Sequence, residues 1–290
     1  MHGLRWKIAG HALALLATVL VGGLLSATMV RLAPGFDADE RELDPHLNAQ
    51  SLQALREARH HDDNIISFYV DYMKRAAHGD LGNSLALGQP VRTLLRQRLP
   101  LTVQLLGIGL VLSWSLTSML ALSAAWLRLP TYDTMATAIS GMLLCLPAAV
   151  LALLSVLWNA PGAIAIALIV FPHTYRYARN LLVKAYSRPH ILAARAKGLR
   201  EARILFWHVV PVVMPQMLAL AGVSVSMAIG ATIPVEALCG LPGIGQLAWQ
   251  AALARDLPLL VNITILVTLV TLLANSSADV IGSMFRRQEA

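Results

Sequence analysis

Charged residues drop out of this chain in long blocks, and the blocks define its elements. Five runs contain no Asp, Glu, Lys or Arg: Ile8 to Val30, Leu99 to Leu127, Thr134 to Tyr175, Ile204 to Val235 and Leu257 to Ala278. A helix of roughly 20 apolar residues crosses the ~30 Å hydrocarbon core of a bilayer, so four of the runs hold one span each. The run from Thr134 to Tyr175 is too long for one. Asn159, Ala160, Pro161 and Gly162 interrupt it with turn chemistry, which divides it into two spans and predicts six helices in all. Pro130, Pro147, Pro172, Pro211 and Pro215 lie in or near spans, where membrane helices tolerate proline if neighbours satisfy the freed carbonyls.

Composition narrows the class further. Of 290 residues 57% are hydrophobic and 13% charged, with mean hydropathy +0.61. A soluble domain carries about 25% charged residues, so half the usual solvating surface is missing. That excludes a cytosolic enzyme, a disordered chain and a disulfide-stapled one. Arg5 and Lys7 before the first run resemble the start of a secretory signal, but Ile8 to Val30 is longer than a signal's apolar region and no clear Ala-x-Ala site follows, so an uncleaved anchor is expected.

Basic residues set the expected orientation. Arg5 and Lys7 precede span one, eight bases against the single acid Glu201 fill Arg176 to Arg203, and Arg286 and Arg287 follow the last span. Six crossings put all three blocks on one side, the cytoplasm, and both termini with them. Asp37 to Asp80, with ten acids and five bases, then lies outside. The loop from Arg176 to Arg203 accounts for the whole +7 net charge, so that charge sets topology; no nucleic-acid reader fold accompanies it.

Much chemistry is absent from the sequence. There is no phosphate-cradling G-x-x-x-x-G-K-[ST], no H-E-x-x-H, and no metal-ligand spacing among the nine histidines; adjacent His60 and His61 read as a solvated face. No cofactor or metal is expected. Cys145, mid-span, and Cys239, near an outer helix end, lie at different depths and read as packing residues. No span interior holds an acid. Glu236 sits at the outer end of span five, Asp279 at the inner end of span six, and His173 inside a span is read as a hydrogen-bonded packing residue. A self-powered carrier is disfavoured, and the energy for any transport comes from another subunit.

The segment between spans four and five is the most specific. Ser187 suits an N-cap, Pro189 the first turn and Gly198 the C′ position of a short helix over Pro189 to Lys197, rich in Ala193, Ala194 and Ala196. Leu192, Ala196 and Leu199 share a face, with Arg195 and Lys197 offset from it. Small residues allow a close approach, so the helix can fill a groove on a soluble partner; a surface linker helix is the other reading.

Ala193-Ala194-Arg195-Ala196-Lys197-Gly198-Leu199, with Pro211 thirteen residues after the glycine, resembles the E-A-A-x3-G-x9-I-x-L-P loop of bacterial ABC importer permeases, in the variant of the dipeptide/oligopeptide/nickel branch. Leu192 stands at the acidic position, and His208 and Val210 replace Ile and Leu. Further segments resemble the same branch in order: Arg31 to Gly35, Gly79 to Ser84, Gln89-Pro90-Val91, Arg98 to Thr102, Val235-Glu236, Leu241 to Gly245 and Ala254-Arg255-Asp256. One departure is the outer connection between spans three and four, usually a sizeable loop in this family and here only about Trp158 to Gly162.

The resemblance implies an all-α integral membrane protein with six transmembrane helices, like a type I ABC importer permease of the inner membrane. Residues 1–31 form the cytoplasmic N-terminus and span one, 32–98 a periplasmic helical segment, 99–285 a five-helix core with a cytoplasmic coupling loop at 183–208, and 286–290 a tail. It is no enzyme itself. It implies a second permease subunit, ATP-binding subunits and a periplasmic or lipid-anchored substrate-binding protein as partners, beside the lipid bilayer and without nucleic acid. Leu192, Ala193, Ala194, Arg195, Ala196, Lys197, Gly198, Leu199 and Pro211 would receive the pull of the ATPases, with Pro211 and Pro215 restarting span five. Glu236, Pro242, Gly243 and Gly245 are gate candidates on the outer pathway, as a bend or re-entrant piece or as an ordinary turn. Asn262, Thr264, Asn275 and Ser276 read as helix-packing hydrogen bonders rather than pathway residues. A self-contained channel or secondary carrier and a membrane-embedded enzyme are the competing readings.

Overall fold

The computed structural model describes residues 79–127 and 129–286, together with Val21 and Thr28, both helical. The rest of the first apolar run, the motif at Arg31 to Gly35, the helices expected within 32–78, the side chain of Asp279 and the tail from Arg287 lie outside the described residues. Among the described residues the chain is helical, with a single isolated antiparallel bridge between Asn83 and Pro90. The helices are α1 (Val91–Leu127), α2 (Pro130–Leu144), α3 (Ala148–Leu157), α4 (Gly162–Tyr186), α5 (Pro189–Ala196), α6 (Glu201–Ile204), α7 (Val210–Leu238), α8 (Ile244–Leu253) and α9 (Leu257–Arg286).

Three helical stretches are long and apolar enough to cross a membrane: Val91–Leu127, Glu201–Leu238 and Leu257–Gly282. A fourth is the pair α2 and α3, which passes that test only jointly and is bent by 98° at its break. This corrects the straight span expected there. Pro147 lacks an N–H and N-caps α3 at φ −58°, ψ 146°, so helix α2 ends at Cys145, which sits exposed in the bend rather than in mid-span.

The turn expected at Asn159 to Gly162 is present, and its cause is visible. Asn159 adopts φ 50°; its N–H donates to Val156 O and the Ala160 N–H to Ser155 O, the paired bonds that close a helix through one left-handed residue. Pro161 then N-caps α4. Only Trp158 to Pro161 separate the two helices.

Two compact units are distinguishable. One comprises 99–246 with 270–286, and α4 runs through its core, with thirteen of its 25 residues buried. Its first half packs Ala163, Ile166 and Val170 with Leu105 of α1, Ala152 of α3 and Ala228 and Val235 of α7. Its second half packs Phe171, Tyr175, Ala178 and Leu182 with Ala121 of α1, Ala136 of α2 and Leu220 of α7. Alanine and glycine at the contacts bring backbones close, as in bilayer helices generally. A Cβ on Gly109 would lie 2.7 Å from Ile166, and one on Gly222 2.8 Å from Ala278. Polar side chains tie the same helices: Thr117 with Thr174 at 2.7 Å, Trp114 Nε1 to Ser224 Oγ at 3.0 Å, and Asn275 Nδ2 to Ser226 Oγ at 3.1 Å. Asn275 is a packing hydrogen bonder, as expected. Outward, α1 and α2 present Val111, Met119, Met135 and Met142, the last 71% exposed.

Three further expectations are revised. Pro100 lies inside α1, which begins at Val91 rather than Leu99. Span five is not restarted by its prolines: Glu201–Leu238 is continuous, and a π-helical turn at Leu205–Val209 widens the backbone where the Pro211 ring would crowd the carbonyl one turn back. His173 is exposed on α4 rather than packed.

Candidate functional site

Helix α5 forms as its ends dictate, though not with the cap expected. Ser187 Oγ donates to Lys184 O and so closes α4; Arg188 is the N-cap of α5, in extended backbone and without a side-chain cap bond. Pro189 occupies the first turn, where a missing N–H costs nothing. At the far end Gly198, at φ 76°, donates its N–H to Arg195 O at 2.8 Å and Leu199 donates to Ala194 O at 3.3 Å, which satisfies two end carbonyls and turns the chain sharply.

The helix has two unlike sides. Ile191 and Ala194 are buried among Leu182, Ala185, Ile204 and Leu205, so Ala194 serves the chain's own core rather than a free face. Leu192, 59% exposed, stands on the outside with Ala193, Ala196 and Lys197. Leu199 is half-buried against the core. Arg195 bridges inward: its Nε lies 3.0 Å from Glu201 Oε1, and its guanidinium stands 5.9 Å from the Tyr186 ring centroid. One side chain thus ties α5 to the end of α4 and the start of α6. Pro211 is exposed, fifteen positions beyond the last residue of α5 and past the π-turn.

A second cluster forms where α7 ends. Gly240, at φ 64°, lets the Leu241 N–H reach back to Glu236 O at 2.9 Å. The Gly243 N–H donates to Leu241 O across exposed Pro242, and the chain enters α8, a helix the sequence reading did not foresee. Glu236 is fully buried. Its Oε1 accepts from Thr102 Oγ1 of α1 at 2.7 Å; its Oε2 accepts from Gly245 N at 2.6 Å and Gln246 N at 3.2 Å. Thr102 Oγ1 in turn accepts from Ile244 N at 2.8 Å. The carboxylate thereby caps the N-terminus of α8, where free N–H groups and the helix dipole favour negative charge. Gly243 and Gly245 are needed for space. A Cβ on Gly243 would fall 2.2 Å from Glu236 Oε2, and one on Gly245 2.6 Å from the Thr232 backbone. Glu236, Gly243 and Gly245 therefore come together, with Pro242 at the outside of the turn. Thr102 joins them; its motif was recognised, but nothing in its spacing tied it to a residue 134 positions away.

The other compact unit, 79–98 with 247–269, contains a parallel arrangement. Asp256, 1% exposed, caps α9 by accepting from Leu259 N at 3.1 Å, and also accepts from Ala86 N at 3.1 Å and from Ser84 Oγ. Asn262 Nδ2 donates to Leu81 O at 3.0 Å and Pro258 O at 2.7 Å, a packing role as expected. The turn at Gly79 to Gly82 is held by Gly82 N donating to Asp80 Oδ1. Among the described residues no group of three or more His, Cys, Asp and Glu side chains could hold a metal.

Comparison with known proteins fits this arrangement. The family of binding-protein-dependent transport system inner membrane components matches residues 117–288. The oligopeptide transport system permease protein OppB of Salmonella typhimurium is 30% identical over 290 aligned residues, 90% of this chain and 91% of that protein, and OppB of Escherichia coli K12 matches equally. A chain of the MetNI methionine ABC transporter in inward-facing conformation superposes with TM-score 0.59 at 16% identity, over 67% of this chain and 97% of that one, a likeness of fold. The chain belongs to the family of binding-protein-dependent transport system inner membrane components and is a multi-pass protein of the inner membrane.

Proposed function

We propose that this chain is the permease subunit of an ATP-driven importer of peptides, forming half of a transmembrane pathway with a second permease subunit. ATP is hydrolysed on separate subunits, and a substrate-binding protein delivers the cargo. The peptide class follows the oligopeptide permeases to which the chain is similar. Six spans carry both termini and the loop at 183–208 on the cytoplasmic side, with 32–98 outside.

The observation that carries this reading is the build of α5. A helix of eight residues, closed by Gly198, offers Leu192, Ala193 and Ala196 outward while Arg195 and Ile191 fix it to α4 and α6. A force applied to its outer face passes to two long helices without bending the joint. Leu192, where the general pattern has an acid, makes the outer face an apolar plug. The cluster at Glu236 is the corresponding element at the outer end: its three hydrogen bonds fasten the turn through Pro242 and Gly243 to α1 and α7 as a gate. Among the described residues three acids hold structural contacts: Asp133 with Arg179, Glu236 with Thr102 and α8, Asp256 with Ser84 and α9. None of these three is left to carry a coupled proton or cation, which favours external power over a self-contained carrier.

The test is co-purification from detergent of the ATPase subunits with the wild-type chain and with Leu192→Arg and Ala196→Trp. Both substitutions lie on the exposed face and leave the bundle intact, so each should reduce ATPase recovery at least tenfold and abolish uptake at unchanged permease yield. Full uptake by the purified chain alone in liposomes would overturn the reading.

A further inference from the structure

Two helical stretches long and apolar enough to cross a membrane, Val91–Leu127 and Glu201–Leu238, leave an open groove of about 280 Å³ where they meet, all of it within the unit 99–246. Leu122, Ser123, Trp126 and Leu127 of α1 line one side, and Leu205 and Phe206 of the π-helical turn line the other. The spacing of four from Leu122 to Trp126 and from Ser123 to Leu127 puts the α1 residues on one face. The lining is apolar, and its single hydroxyl is already spent: Ser123 Oγ donates to Leu120 O at 3.1 Å and is paired with Tyr132 OH at 2.8 Å. Small-molecule pockets begin at about 300 Å³, so an open groove just below that size suits one linear hydrocarbon chain rather than a folded solute.

Composition fixes the level of the groove in the bilayer. The uncharged run Leu99 to Leu127 has 29 residues, about 43 Å of helix, which matches the ~40–45 Å of a bilayer with its headgroups. Arg128 follows it directly, and Arg203 directly precedes the uncharged run that begins at Ile204. The groove falls within the last six residues of the first run and at the second and third of the other, so it opens where hydrocarbon meets headgroups, whichever way the chain is oriented. The side chains agree. Trp126, Phe206 and Trp207 are 51%, 52% and 75% exposed, and aromatic rings gather at the headgroup level. Arg203, also exposed, stands three and four positions before Phe206 and Trp207, on their side of the chain. Leu205 belongs at the same time to the buried cluster that holds Ile191 and Ala194 of α5.

From the dry lining, the level of the groove and the cation beside it, we propose that this is a seat for one acyl chain of an anionic phospholipid, with Arg203 meeting the negative headgroup. A basic residue beside a groove between spanning helices selects anionic over zwitterionic lipid. The inference needs only the membrane location established above, not the cargo or direction of transport.

The test uses the full chain, with whatever subunits accompany it, in phosphatidylcholine vesicles containing a small fraction of a phosphatidylglycerol that bears a diazirine on one acyl chain. After illumination, peptide mapping should find adducts concentrated on residues 122–127 and 205–207. Their yield should exceed that from the same diazirine chain on phosphatidylcholine by at least about fivefold, the discrimination one cation supplies at an anionic surface. Arg203→Gln should abolish that preference, while Arg176→Gln, the same loss of charge elsewhere in the basic segment, should keep it. Should a variant fail to assemble, excess unlabelled phosphatidylglycerol must still displace the probe from the wild-type chain where excess phosphatidylcholine does not. Equal labelling by the two probes, adducts spread evenly along α1, or an equal loss in Arg176→Gln would overturn the proposal, since each describes lipid acting as bulk solvent. Cross-links from the groove to another subunit in place of lipid adducts would overturn it too, and would assign the groove to a protein partner.

Discussion

Glu236 concentrates what single residues do in this protein. A buried carboxylate is costly unless its oxygens are occupied, and here three donors converge on it. Glu236→Ala strands those donors and should destabilise by on the order of 3 kcal/mol, whereas Glu236→Gln keeps one acceptor and should lose less than half of that. Thermal unfolding in detergent reads the difference, and equal losses would show that the charge rather than the bond pattern matters. Gly243→Ala acts on the same point by collision, since its methyl would enter the Glu236 carboxylate. Overpacking of this kind costs about 1–3 kcal/mol, and Gly79→Ala, with open space around its Cβ, is the control for backbone strain alone. The sequence displayed Glu236 as an acid at a helix end and Gly243 and Gly245 as turn residues. It could not show Thr102 as their partner, because a hydrogen bond across 134 residues leaves no local pattern.

At the scale of elements, terminators were more legible than helices' shapes. Asn159, Pro161 and Gly198 act through their own backbone preferences, so the turn after α3 and the end of α5 were readable directly. Gly198→Val should therefore cost more than 1 kcal/mol, since a β-branched residue resists φ 76°. Its consequence should be specific: ATPase recovery falls with the α5 geometry while the thermal transition of the bundle moves by only a few degrees. Loss of the whole bundle instead would mean that α5 is a core element and not an appended lever. Ser187 misled because capping chemistry serves either neighbouring helix. It bonded backward to Lys184, and Arg188 was left to begin α5. Pro147 and Pro211 show the same ambiguity. One bends its helix pair by 98° and the other is absorbed by a π-turn, and the outcome depends on whether packed neighbours hold the two halves in line.

For the whole molecule, two buried carboxylates serve two separate units, Glu236 in one and Asp256 in the other. Loss of one should then be felt locally. Asp256→Ala is expected to free the 79–90 segment from α9 and expose it to limited proteolysis, with the cluster around α4 still protected; simultaneous cleavage throughout would show a single cooperative unit. Charge depletion alone determined that this chain lives in lipid, how many long apolar runs it has and which loop is basic, because transfer of charge into hydrocarbon is costly at any position and in any fold. Backbone chemistry alone determined where Asn159, Pro161 and Gly198 stop or start a helix. Tertiary structure decided the rest. It set which acids are satisfied and by whom, and which alanines of α5 face the core. It also decided that α4, by sequence one apolar span among several, is the buried axis of its unit. Those outcomes depend on which helices meet, and hydrophobic periodicity is blind to that when nearly every face is apolar.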